Sequence, residues 1–259
     1  MISENHTVHD EPGAWFVRPI ILFGASYIIL LTIHESAHAL TAYAFHVPFT
    51  LFHFGADVEL DHATLIEQAV IRVAGPLCSL LVGLVCWFLY RRSRSELMLL
   101  YLTTFGVGTF FGNLMSTAFV GDFSNIALAL HLPMTARYTV SLMGFLLIGG
   151  LHFMVGWELR RLSPAGSSRL SAMIVMVVIP VVAGTTIVTL SSLPMPSALI
   201  IGRLAEVSFW IFSVAGVLVS RNTPLGDDRI LRWRWLDVVI LALAIIATRI
   251  LAVGIPFQP

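Results

Sequence analysis

The sequence has few charged residues and no lysine. Only 12% of its 259 residues are charged, and fifteen arginines are balanced by fifteen acidic residues. A chain without excess positive charge is a poor match for DNA or RNA, so we expect no nucleic acid among its partners. We attribute the use of arginine instead of lysine to codon usage rather than to mechanism.

Cysteine is equally scarce, since Cys78 and Cys86 are the only two in the chain. Both fall within one apolar segment, where a cysteine usually serves as a small residue that packs against its neighbours. We therefore expect neither a disulfide nor a cysteine metal site. The sequence also lacks an internal repeat, a low-complexity tract and a polar segment long enough for a soluble domain. Its function must therefore lie within the apolar part of the chain or at its surface.

Apolar residues dominate the composition, with 57% hydrophobic residues and a mean hydropathy of +0.87. A stretch of roughly 20 apolar residues can cross the lipid bilayer, and such stretches recur along the chain. They lie near 19-45, 66-90, 97-121, 138-159, 171-191, 197-219 and 235-255. The sequence thus predicts an all-α, polytopic membrane helix bundle of about seven spans.

The segment between the first two spans has a different pattern. Residues 47-60, VPFTLFHFGADVEL, are rich in aromatic and β-branched residues and have turn signals at Pro48 and Gly55. This pattern predicts a short β-strand or hairpin, with a surface loop as the alternative.

The distribution of arginine predicts how the chain is oriented. The first seventeen residues lack the basic start of a signal peptide, so the first span should remain as an anchor. With seven spans, eleven arginines lie on the face that holds the N-terminus and three on the other. The positive-inside rule makes the first face cytoplasmic, and we expect a multi-pass protein of the cell (inner) membrane. His34 follows Arg18 by about 24 Å of helix, so it lies nearer the opposite face.

The first span contains the motif H-E-x-x-H, formed by His34, Glu35 and His38. Residues four apart lie on one helix face about 6 Å apart along the axis, so both imidazoles can bind one metal while Glu35 lies beside it. Ionisable residues inside a span are rare and usually functional. The motif therefore predicts a catalytic Zn²⁺ with Glu35 as general base; a structural zinc or a satisfied polar cluster is the alternative.

A catalytic zinc has three protein ligands and one open position, so one ligand is missing from this motif. Asp122, which follows Gly121 at the end of the third expected span, is our candidate, because a helix end there can meet the histidine pair. His152 is the second candidate. His53 and His62, which follow the first span, are weaker ones.

Three sequence features together resemble the site-2 protease family of intramembrane zinc metalloproteases. They are HESAH in the first span, Ala74-Gly75-Pro76 in the next, and Asn113 followed nine residues later by Asp122. The resemblance covers about residues 19-126. It implies a three-helix metalloprotease core (19-130), which leaves a polar N-terminal segment (1-18) and C-terminal membrane helices without an assigned role (131-259). The segment NLMSTAFVGDFSN departs from the family, since it lacks proline and has phenylalanine after the aspartate.

The resemblance also implies residue roles and an activity. His34, His38 and Asp122 would bind zinc, and Glu35 would activate the water. Asn113 would help to hold an extended substrate backbone. The expected function is that of a zinc metalloendopeptidase, which hydrolyses peptide bonds of membrane-spanning protein substrates.

The hairpin segment would pair with that substrate, and its residues His53 and Phe54 are candidate substrate contacts. Asn125 is an alternative polar contact. Two other classes of function are alternatives to a protease. One is a seven-span zinc-binding transporter or receptor-like protein without protease activity, and the other is a membrane zinc hydrolase that acts on a lipid amide or a prenylated peptide.

Overall fold

The computed structural model describes residues 16–195, 205–221 and 234–258, together with Gly202, Pro224 and Leu231. Most of the polar N-terminal segment and the start of the sixth expected span lie outside these residues. The described chain is mostly helical, as its composition predicts. The helices are α1 (Val17–Ala44), α2 (Leu65–Ser93), α3 (Leu97–Ser116), α4 (Asp122–Ala129), α5 (Met134–Leu162), α6 (Arg169–Ser191), α7 (Trp210–Val219) and α8 (Trp235–Leu251).

Within the described residues, α1, α2, α3, α5 and α6 are long and apolar enough to cross a membrane. Among the described residues, the apolar helix that ends with α7 covers Ala205–Val219 and α8 has 17 residues, and both are shorter than the roughly 20 residues that a span needs. The expected number of seven spans is therefore not confirmed. The third expected span was also drawn too long, because α3 ends at Ser116 and not at residue 121. A turn follows it, and Asp122 begins the separate short helix α4.

Helix α1 occupies the middle of the bundle and packs against α2, α3, α6 and α8. The ring of Phe23 on α1 lies edge-on to those of Tyr101 and Phe105 on α3, with centroid separations of 5.5 and 4.9 Å. It also lies 5.2 Å from the ring of Trp210 on α7. Aromatic contacts of this kind add to the area buried in a core. The first helix, which carries the histidine motif, is therefore held from several sides.

A small antiparallel sheet closes one end of the bundle. It contains β1 (Phe49–Phe52), β2 (Gly55–Val58) and β3 (Ile255–Phe257) in the order β2-β1-β3. The predicted hairpin between the first two spans is thus confirmed as β1 and β2. The expectation of a hairpin alone was incomplete, because β3 joins it from the end of the chain. Within the described residues, β1 is paired on both sides, whereas the outer edge of β2 has no strand beside it.

The opposite end of the bundle carries several arginines. We call it the arginine end and define it by Arg18, Arg91, Arg92, Arg94, Arg160, Arg161 and Arg169. Arg18, which is only 2% exposed, bonds Asp237 at the start of α8 at 2.9 Å and lies 3.8 Å from Glu96. We call the other end, which holds the three strands and α4, the sheet end. Helices joined by short connections run antiparallel, so α1 starts at the arginine end and reaches the sheet end.

Candidate metal centre

The structure brings the three expected metal ligands together near the sheet end. His34 and His38 lie one turn apart on α1, are buried, and place their Nε2 atoms 3.1 Å from each other. Asp122 Oδ2, at the start of α4, lies 3.5 Å from Nε2 of His38 and 3.7 Å from Nε2 of His34. Two helices far apart in sequence therefore supply one cluster of possible ligand atoms.

The spacing of these atoms fits a zinc ion. Zinc–nitrogen and zinc–oxygen bonds near 2.0–2.1 Å in a tetrahedron put neighbouring ligand atoms about 3.3–3.4 Å apart. The observed separations of 3.1, 3.5 and 3.7 Å lie close to that value. Two imidazoles and one carboxylate also form a donor set of the kind found in catalytic zinc sites, which leave a fourth position open.

The outer ring nitrogens of both histidines are held by α2. His38 Nδ1 donates to the backbone carbonyl of Ile71 at 2.7 Å, and His34 Nδ1 lies 3.0 Å from the Ser79 hydroxyl oxygen. Because a carbonyl can only accept, the proton of neutral His38 is on Nδ1, and its Nε2 lone pair is directed into the cluster. Such outer hydrogen bonds fix the tautomer and orientation of metal-binding histidines.

Gly75 allows His38 to lie directly against α2. A side-chain Cβ at position 75 would be only 2.2 Å from His38 Nε2, a distance that no side chain can adopt. Ile71, Gly75 and Ser79 follow one another at intervals of four, so they lie on one face of α2. In the sequence, Gly75 only contributed to a resemblance, whereas the structure gives it a physical role.

We expect Gly75→Ala to weaken zinc binding by about 10- to 100-fold, because the added methyl group must displace the His38 ring from its outer hydrogen bond. Competitive zinc titration of the detergent-purified protein measures this. Gly112→Ala on α3 is the matched control, because a Cβ there meets nothing within 4 Å. Equal zinc affinity of Gly75→Ala and wild type would contradict the role assigned to Gly75.

The turn before α4 determines where Asp122 lies. Gly121 has φ +100°, a conformation that favours glycine, and the helix starts directly after it. Burial raises the pKa of Asp122, but in the metal-free protein protonated His34 and His38 outweigh burial through hydrogen bonds and charge and hold that pKa well below its usual range. The carboxyl group is therefore ionised at neutral pH, as a metal ligand must be.

Glu35 links the cluster to the sheet. Its Oε2 accepts a hydrogen bond from the backbone N–H of Ala56 in β2 at 2.9 Å. Ala56 stands opposite Leu51 of β1, and an N–H that bonds Glu35 is directed away from β1. The expected general base therefore contacts the outer edge of β2.

Asn113, the expected backbone contact, lies near the cluster but bonds within its own helix. Its Nδ2 donates to the Thr109 carbonyl at 3.1 Å. Its Oδ1 faces the turn before α4, since a Cβ built on Gly121 would lie 3.5 Å from that oxygen. The alternative contact, Asn125, is exposed on α4.

The structure does not bring His53 and Phe54 into the ligand cluster. His53 is buried in the turn between β1 and β2, and its Nε2 lies 2.6 Å from the backbone oxygen of Ser192, just after α6. Phe54 stacks on Phe52 with a centroid separation of 5.4 Å. Both residues lie at the sheet end, where His53 fastens the hairpin to α6.

His152, the second candidate for the third ligand, does not belong to the ligand cluster either. Its Nδ1 lies 3.3 Å from the Ser213 hydroxyl oxygen on α7, and its ring packs edge-on against Trp210 at 4.9 Å. His152 is therefore part of the contact between α5 and α7. The side chain of His62 lies outside the described residues.

Protein-family models, curated proteins and solved structures gave no match. The site itself offers two imidazoles and one carboxylate that can hold a metal, with a second carboxylate beside them. Such an arrangement can activate water and accept a proton from it.

Proposed function

We propose that this protein is an intramembrane zinc metalloprotease similar to the site-2 proteases, and that it hydrolyses peptide bonds of membrane-spanning proteins. The observation that carries the proposal is the convergence of the His34, His38 and Asp122 ligand atoms next to Glu35. The burial of both histidines inside a helix that can span a membrane supports it further. Ionisable groups at such a depth are usually functional.

Each residue of the site has a defined task in this reaction. His34, His38 and Asp122 would hold zinc, which when bound supplies a Lewis acid for the peptide carbonyl and an activated water. Glu35 takes the proton that the water loses during its attack on the carbonyl carbon. Glu35 then gives that proton to the leaving amine as the C–N bond breaks. Ile71 and Ser79 keep the two imidazoles oriented throughout.

The outer edge of β2 is suited to hold the substrate. A helical peptide hides its carbonyls in its own hydrogen bonds, whereas a peptide paired with a sheet edge is extended and exposes the bond to be cut. Backbone groups alternate in direction along a strand, so Val58 faces the same open edge as Ala56. Because Ala56 donates to Glu35, a strand added there would lie next to the proton acceptor. This adjacency favours a protease over a transporter or receptor-like protein.

We also propose how the protein is oriented in the membrane. The first helix starts at the arginine end, and the ligand cluster lies towards the sheet end. By the positive-inside rule, the arginine end faces the cytoplasm of a cell (inner) membrane. The cluster then lies in the outer half of the bilayer, and water reaches it from the sheet end.

Zinc content and chelation test the proposal directly. Purified protein should bind one zinc per chain and cleave labelled single-span peptides in detergent. Removal of the zinc should slow cleavage by about 100-fold or more, and added zinc should restore it. Mass spectrometry of the peptide fragments measures the rate. Protein that binds no zinc, or whose cleavage of these peptides is insensitive to chelation, would contradict the proposal.

A further inference from the structure

Arg137, near the start of α5, is a buried cation without an acidic partner among the described residues. It is only 8% exposed. Its guanidinium donates from Nη2 to the Ala118 carbonyl at 3.0 Å, from Nε to the Thr117 carbonyl at 3.3 Å, and from Nη2 to the Ser124 hydroxyl oxygen at 3.3 Å. A buried charge is normally paired, so three neutral acceptors are an unusual set of partners.

These acceptors lie on both sides of Asp122. Thr117 and Ala118 directly follow α3, and Ser124 belongs to the first turn of α4. A cation near the last carbonyls of a helix is favourable, because those carbonyls have no partner within the helix. One side chain of α5 therefore connects the end of α3 to the beginning of the helix that carries Asp122.

A second residue of α5 strengthens this connection. Ser141 lies four residues after Arg137 on the same face of the helix, and its hydroxyl oxygen accepts from the Ala118 backbone N–H at 2.9 Å. The N–H and the carbonyl of Ala118 are thus both bound by α5. The segment from Thr117 to Ser124 joins the end of α3 to the first turn of α4 and contains the left-handed turn at Gly121, so contacts from α5 contribute to its position.

We infer that Arg137 is a positioning residue for the metal centre, which holds this segment so that Asp122 reaches the ion bound by His34 and His38. The inference rests on the proposed function and extends it. The working unit then includes the start of α5, beyond the core expected at residues 19-130. This inference rests on the hydrogen-bond acceptors of Arg137, which flank Asp122 on either side in the sequence.

Zinc affinity distinguishes positioning from a general effect on stability. We expect Arg137→Gln to weaken zinc binding by about 10- to 100-fold, as loss of an outer support of a metal ligand does. Competitive titration with a zinc-binding dye measures the affinity, and thermal unfolding of the metal-free protein measures stability separately. Excess zinc should restore cleavage by the variant. Arg137→Lys, which keeps the charge, should recover part of the affinity.

Arg160→Gln is the matched control. Arg160 lies on the same helix at the arginine end, is 9% exposed, and also donates to neutral oxygens, those of Ser163 and Ser167. Its substitution should lower the unfolding temperature and leave zinc affinity unchanged. A folded Arg137→Gln with the zinc affinity of wild type would overturn the inference and leave the proposed function standing.

A milder variant covers the case in which Arg137→Gln does not fold. Ser124→Ala removes one hydrogen bond to Arg137 and should weaken zinc binding by about 2- to 10-fold. Unchanged affinity in Ser124→Ala would then overturn the inference. Wild-type protein that binds no zinc would overturn both the inference and the proposed function, so the two failures are distinguishable.

Discussion

Glu35→Gln is expected to stop cleavage while zinc stays bound. Glutamine has the same shape as glutamate, and its amide oxygen can still accept the hydrogen bond from Ala56, so the local geometry is kept. Its amide cannot take a proton from water, and loss of a general base lowers a rate by about 10²- to 10⁴-fold. Single-turnover cleavage of a labelled single-span peptide measures the rate, and zinc per chain is measured on the same sample.

Glu67→Gln is the control for this change. Glu67 is a partly exposed glutamate in the first turn of α2, where its carboxylate accepts from the Thr64 backbone N–H. It has no part in the metal centre, so its variant should cleave at the wild-type rate. Zinc-loaded Glu35→Gln that also cleaves at the wild-type rate would exclude the proposed mechanism.

The same variant separates the alternative functions. A transporter or receptor-like protein needs the metal ligands alone, so its activity should survive Glu35→Gln. A hydrolase of lipid amides or prenylated peptides needs Glu35 as much as a protease does, but it does not need the outer edge of β2. Comparison of single-span peptides with those smaller substrates, using wild-type protein, therefore distinguishes the two hydrolases.

The parts of the fold that depend on local sequence were predictable. Apolar stretches set the five long helices, and turn signals around aromatic residues set the β1–β2 hairpin. The third strand was not predicted, because three residues that contain Pro256 show no alternation and pair with a strand about 200 residues earlier in the chain. The last expected span, 235-255, was drawn too long, because α8 ends at Leu251 and hydropathy measures an apolar stretch and not where a helix ends.

The candidate site likewise has a part that was predictable from local sequence and a part that was not. His34, Glu35 and His38 share one turn of helix, so their spacing alone predicts their common face. The contribution of Ile71 and Ser79 depends on how α1 meets α2, and that packing is not encoded in either helix alone. Arg137 was not found because its partners include backbone carbonyls, which every residue has and which leave no pattern in a sequence. Sequence reasoning thus predicted the residues of the candidate site but missed the groups that support them.

Asp122→Ala is expected to lose zinc almost completely. The variant removes one of three ligand atoms and leaves two imidazoles whose Nε2 atoms are 3.1 Å apart without a carboxylate to complete the set. Since loss of an outer support already weakens a metal site by about 10- to 100-fold, loss of a ligand should weaken it by about 100-fold or more. Zinc titration measures the affinity, and cleavage should fall with zinc occupancy.

His152→Gln is the decisive comparison for Asp122, because His152 was the other candidate for the third ligand. The structure holds its ring between Ser213 and Trp210, so the variant should lower stability and leave zinc affinity unchanged. The opposite outcome, in which Asp122→Ala keeps its zinc and His152→Gln loses it, would require α5 to approach α1 differently. It would also contradict the positioning role of Arg137, which depends on Asp122 being a metal ligand. This pair of variants therefore tests the metal centre and its support together.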